Sequence, residues 1–78
     1  MNLNEIINYL NDESIPQLEA RMELDYEIVA KLVDGDEIEF DVFRADTQIE
    51  LNDVPEKVIS IIDEIVDLFE EIKRENLV

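Results

Sequence analysis

The side chains able to do chemistry in this chain are nearly all carboxylates: 22 Asp and Glu stand against 6 Lys and Arg, with no His and no Cys. The hydroxyls of Ser14, Thr47 and Ser60 have no imidazole or thiol anywhere in the chain to activate them, and no base of tuned pKa is evident beside them. Paired carboxylates can hydrolyse glycosides, but any acidic surface holds carboxylates at suitable separations, so the pattern selects nothing. A chain of 78 residues also has little core with which to enclose a pocket. The expectation is a protein that is not an enzyme and has no cofactor.

Metal chemistry fares no better. Asp34-Gly35-Asp36 superficially echoes a calcium loop, yet with Gly35 as that loop's glycine the first and third ligands would be Ala30 and Leu32, which carry no side-chain oxygen. The usual ligands of structural zinc are absent, and a single glycine cannot build a phosphate-binding loop. Asp34-Gly35-Asp36 therefore reads as a turn.

What remains is recognition by charge. Two acidic sets stand out: Glu37, Glu39 and Asp41 alternate along one stretch, while Asp63, Glu64, Asp67, Glu70 and Glu71 share the polar arc of another, with Glu56. A formal charge of -16 repels nucleic acid and anionic lipid alike, so the expected partner is a basic protein surface, a nucleic-acid-binding groove above all. The longest apolar run is Ile28-Val29-Ala30, far short of the ~20 residues that span a bilayer. The first residues show neither the basic nor the apolar part of a signal peptide, so a cytoplasmic location is expected.

These carboxylates need ordered elements to hold them. High charge alone would suggest disorder, but 46% of the residues are hydrophobic and rich in Ile, Val and Leu, which predicts one folded domain over residues 1–78. Without disulfide or zinc, packing alone supplies its stability, roughly 3 to 5 kcal/mol at this size.

Leu3, Ile6, Ile7 and Leu10 mark one face of a short helix over about residues 3–11, with Asn2 and Glu5 as a capping pair and Pro16 as its latest boundary. From Leu18 to Leu32 every even position is apolar, which predicts β structure, either one bent strand or two. A three-residue loop at Asp34–Asp36 sets Leu32 opposite Ile38, Ala30 opposite Phe40 and Ile28 opposite Val42; a two-residue loop would break that apolar face. The next strand covers residues 37–44, and 48–51 adds a short one.

The last element is a long helix over 54–76, with Asp53 and Glu56 as a capping box and Pro55 in its first turn. Its apolar positions span an arc of about 180°, wider than one packing surface requires. Sheet plus first helix would cover it; a homodimer seam, extended by Leu77 and Val78, is the other reading. The predicted fold is thus α+β: a short N-terminal helix, an antiparallel meander of three to four strands and a long C-terminal helix, both helices on the even-numbered face.

With Met1-Asn2-Leu3-Asn4-Glu5 at the start, a hairpin through Asp34-Gly35 and the order helix, strands, helix, the chain resembles the small acidic inhibitors that phages encode against CRISPR nucleases, restriction enzymes or DNA-repair enzymes, and one Cas-nuclease inhibitor family in particular. The resemblance covers the general plan, and the C-terminal helix here is longer and more apolar. It implies carboxylates that stand in for nucleic-acid phosphates in the host cytoplasm. The alternative is a structural or regulatory interaction module that assembles through its C-terminal helix and uses acidity for solubility.

Overall fold

The computed structural model describes residues 2–76. At the N-terminus the expected cap forms: Asn2 Oδ1 accepts the Glu5 N–H at 2.8 Å, and Glu5 Oε1 accepts the Asn2 N–H at 3.3 Å. Helix α1 spans Leu3–Tyr9, but helical backbone continues past the boundary expected at Pro16. It runs through a π-helical turn, Leu10–Ser14, into α2, Ile15–Arg21.

Pro16, expected to bound the first helix, instead accounts for the widened turn ahead of it. A proline has no N–H to give the carbonyl four residues back, and its ring would strike that carbonyl in a regular α-turn. Here the Ile15 N–H reaches back five residues to Leu10, so the helix widens ahead of the proline and goes on. The extra residue also shifts the apolar phase. Leu10 and Ile15 are five apart, a step that leaves the face of a regular helix, yet both are buried.

Residues 18–26, expected as β structure, are thus the end of α2 and a connector. The helix closes in a Schellman arrangement: Glu23 N–H bonds to Ala20 C=O at 3.2 Å and Leu24 N–H to Glu19 C=O at 2.9 Å. The left-handed residue this closure requires is Glu23, at φ 50°, where glycine is usual.

Three strands form an antiparallel meander in the order β1-β2-β3: β1 Glu27–Val33, β2 Glu37–Arg44 and β3 Thr47–Ile49. The predicted register holds, with Leu32 opposite Ile38, Ala30 opposite Phe40 and Ile28 opposite Val42. A two-residue loop joins β2 to β3, with Ala45 and Asp46 both at positive φ as a type I′ turn needs.

After a 3-10 turn at Leu51–Asp53, helix α3 runs from Glu56 to Asn76. The capping box expected between Asp53 and Glu56 is not formed among the described residues, because Asp53 is taken up in the 3-10 turn. The Pro55 carbonyl instead accepts from Val58 and Ile59, at 3.0 and 3.2 Å. Leu77 and Val78, expected to extend an apolar seam, lie outside the described residues.

One core joins these elements. Ile28, Ala30, Phe40 and Val42 enter it from the even-numbered side of the sheet, Val58, Ile61, Ile65 and Phe69 from α3, and the rest from the N-terminal helical segment. Leu32 and Ile38 are only half-buried because they flank the hairpin loop at the margin of this cluster. Ile62 is likewise half-buried, lying about 40° around α3 from Val58, on the rim of the buried stripe.

The free edge of β1 is capped by side chains at Ile28 and Ala30. Asn11, in the π-turn, accepts the Ala30 N–H at 2.8 Å through Oδ1 and donates Nδ2–H to the Ala30 carbonyl at 2.9 Å. Glu19 accepts the Ile28 N–H at 2.9 Å. One amide side chain thus does what a neighbouring strand would do for Ala30.

Two substitutions test this construction by urea unfolding. Replacing fully buried Ile65 with Ala should cost about 2 to 5 kcal/mol, most of the stability expected of so small a domain. Asn11→Ala, which leaves both main-chain groups of Ala30 unpaired, should cost about 1 to 3 kcal/mol. An Asn11→Ala protein as stable as the parent would show that water replaces the clamp at no cost.

Candidate interaction surface

The acidic residues singled out from the sequence fall into two outward-facing groups. On β2, Glu37 and Glu39 stand exposed on the odd-numbered side of the sheet. Asp41 shares that side but is engaged: Lys31 Nζ lies 3.2 Å from one carboxylate oxygen and Gln48 donates to the other at 3.2 Å, leaving its side chain 25% exposed. Lys31 stands opposite Glu39 in the register, but its ammonium reaches diagonally to Asp41. Asp41 is therefore the least available of the eight.

On α3, Asp63, Glu64, Asp67, Glu70 and Glu71 are all exposed, with Glu56 on the same arc. No Lys or Arg interrupts the helix from Val58 to Ile72. Bases stand only at the two ends: Lys57 in the first turn, and Lys73 and Arg74 in the last, where positive charge suits the helix dipole. Among the described residues Lys31–Asp41 is the one ion pair. Arg44 and Lys73 lie over aromatic rings, 5.3 Å from the Tyr26 centroid and 5.7 Å from the Phe69 centroid.

The cost of the α3 row is modest for each pair and cumulative. Carboxylates one turn apart, about 6 Å, repel by about 0.7 kcal/mol in water before salt screening. Each fully buried aliphatic side chain on the opposite side contributes about 1.5 to 3 kcal/mol. Val58, Ile61, Ile65 and Phe69 therefore outweigh the row and hold it on an ordered helix. Side chains from the even side of the sheet and from the inner stripe of α3 belong to one buried cluster.

The outward side of the sheet also holds what the sequence reading passed over. Val29 and Phe43 interrupt the polar odd positions and are half-buried, lining an open depression of about 250 Å³ with Glu27 and Asp46. Both were legible as breaks in the alternation. Ile59, on the flank of α3, is 37% exposed, so the wide apolar arc is not fully covered. No group of three or more candidate metal-ligating side chains converges among the described residues, and no helix there is long and apolar enough to cross a membrane.

Glu19 is the carboxylate whose proton affinity departs clearly from the ordinary. Partial burial raises its pKa, the hydrogen bond from Ile28 opposes that rise, and the nearby charge of Glu27 adds to it. Between its unfolded and folded values the native state therefore binds the extra proton. This contribution to stability is fully present below the unfolded value and is lost as pH rises through the folded one. The urea midpoint should accordingly rise as pH falls from 7 toward 5, a direction that relief of general repulsion shares. Glu19→Gln keeps an oxygen for the Ile28 N–H without the charge, so it should flatten part of that rise and match or exceed the parent at pH 7. A parent that loses stability over this range would contradict the assignment.

No family model, no curated protein and no solved structure matches this chain.

Proposed function

We propose that this protein binds a basic groove of a nucleic-acid-binding enzyme, such as a CRISPR nuclease, a restriction enzyme or a repair enzyme, and inhibits it by holding carboxylates where phosphates would lie. One observation carries the reading: the acids from Asp63 to Glu71 on α3, and Glu37 and Glu39 on β2, are exposed, unpaired and fixed on regular elements. A tail serving only solubility would not need that order. Rows of fixed negative charge suit Lys/Arg grooves shaped for a phosphate backbone.

A second reading rests on a different observation. Val29, Phe43 and Ile59 leave apolar surface uncovered, which favours a protein-interaction module whose contacts are made by packing. The two readings differ in which substitutions matter.

An RNA-guided nuclease, a restriction enzyme and a DNA glycosylase, each assayed on labelled DNA with and without the protein, supply the test. Inhibition of one of them should be competitive with DNA and fall steeply with salt, since the screening length shortens to about 3 Å at 1 M. The double variants Asp63→Asn/Asp67→Asn and Glu37→Gln/Glu39→Gln should each slow association by about tenfold while leaving the unfolding midpoint unchanged or raised. Variants that inhibit like the parent, alongside loss of inhibition in Ile59→Ala or Phe43→Ala, would replace charge mimicry with the interaction module.

A further inference from the structure

The sheet has two edges, and the fold treats them differently. Along β1, Asn11 occupies both main-chain groups of Ala30 and Glu19 the N–H of Ile28. Those bonds also show that the even-numbered residues of β1 turn their amides away from β2. In an antiparallel ladder their partners Ile38, Phe40 and Val42 must then turn theirs to the opposite side. There β3 pairs only with Val42–Arg44, and the chain leaves the sheet at the 3-10 turn of Leu51–Asp53. The N–H and C=O groups of Ile38 and Phe40 are left without a strand beside them, and no other main-chain group among the described residues bonds to them.

We infer that this open stretch of β2 receives an extended, basic segment of a partner protein as an added strand. Charge and parity specify the segment. Side chains of an added strand alternate across the sheet, so every second one would stand on the outward side beside Glu37 and Glu39, both exposed and unpaired. Those should be Lys or Arg. The residues between them would meet half-buried Ile38 and buried Phe40 at the margin of the core and should be apolar. A second copy of this chain fits badly, because β2 against β2 sets one row of Glu37 and Glu39 beside another. The acids thus guard the edge against self-pairing and leave it open to a strand of opposite charge. Charge-groove binding is a matter of surface potential; this contact adds main-chain hydrogen bonds, as strand addition does elsewhere. It depends on the proposed function only for the sign of the partner's charge.

The test uses the full chain and a labelled peptide alternating Lys and Val. Its controls are the same peptide N-methylated at alternate amides, which keeps the charge but removes donors, and a Glu/Val counterpart. Binding is followed by fluorescence anisotropy and by amide hydrogen exchange. The Lys/Val peptide should slow exchange at Ile38 and Phe40 by about tenfold or more. N-methylation on the protein-facing amides, or Glu37→Gln/Glu39→Gln in the protein, should weaken binding by about tenfold. Equal binding of the N-methylated peptide, protection confined to α3, or a peptide-free dimer protected at Ile38 would each overturn the inference. Enzyme inhibition that persists without edge protection would sink this inference alone. Edge protection by the peptide, with no salt-sensitive inhibition of any enzyme, would leave it standing and remove the proposed function.

Discussion

The contact that joins the N-terminal helical segment to the sheet by a pair of hydrogen bonds is that between Asn11 and Ala30, 19 residues apart. A neutral amide can match a main-chain N–H and C=O together, which a carboxylate or a hydroxyl cannot do in the same geometry. The pair ties the N-terminal helical segment to β1 at one height and caps Ala30 on the side of the strand that faces away from β2. It also depends on the π-turn. Asn11 sits inside Leu10–Ser14, next to the buried Leu10, so the widened turn seats Leu10 in the core while its neighbour reaches the strand edge. Pro16, exposed in the first turn of α2, favours that widened turn.

Against this stands the electrostatic load. A net charge of -16 on 78 residues opposes compaction, and one ion pair among the described residues relieves little of it. Surface pairs of that kind are worth about 0 to 1 kcal/mol. The fold survives because charge is kept out of its core: no polar or charged residue among those described is buried. No buried side-chain nitrogen or oxygen among them lacks a partner either. Charge is kept outside, where water and salt screen it, and stability rests on the cluster shared by sheet and helices.

Which parts of this were readable in advance follows from how local their causes are. The Asn2–Glu5 cap, the hairpin register and the extent of α3 each arise from residues close in sequence, and each was predicted within a residue or two. The α3 acids were placed correctly on the exposed arc because helical period alone puts them there. Helix α2 was misread for two local reasons. Leu18, Ala20, Met22 and Leu24 alternate as a strand would, and the helix ends on Glu23 in the left-handed region, with no glycine to mark it. The clamp from Asn11 had no local signature at all, since its partner is set by tertiary packing. Asp41 looked as available as Glu37 and Glu39 until the diagonal reach of Lys31 was known.

The two acidic groups and the open edge bear on each other. Rows of like charge on a solvent-facing helix cost stability and return nothing to the fold, which makes α3 the part of the molecule whose composition most needs an external reason. The hairpin acids differ, because Glu37 and Glu39 flank a stretch of strand left unpaired among the described residues, where charge would oppose self-pairing. The two groups stand on different elements, so a partner meeting either alone would leave the other free. Under the proposed function, contact at the sheet edge would supply direction and register through main-chain bonds, and contact at α3 long-range attraction. A basic groove with an exposed strand at its rim would use both, the helix speeding encounter and the edge setting how the complex is held.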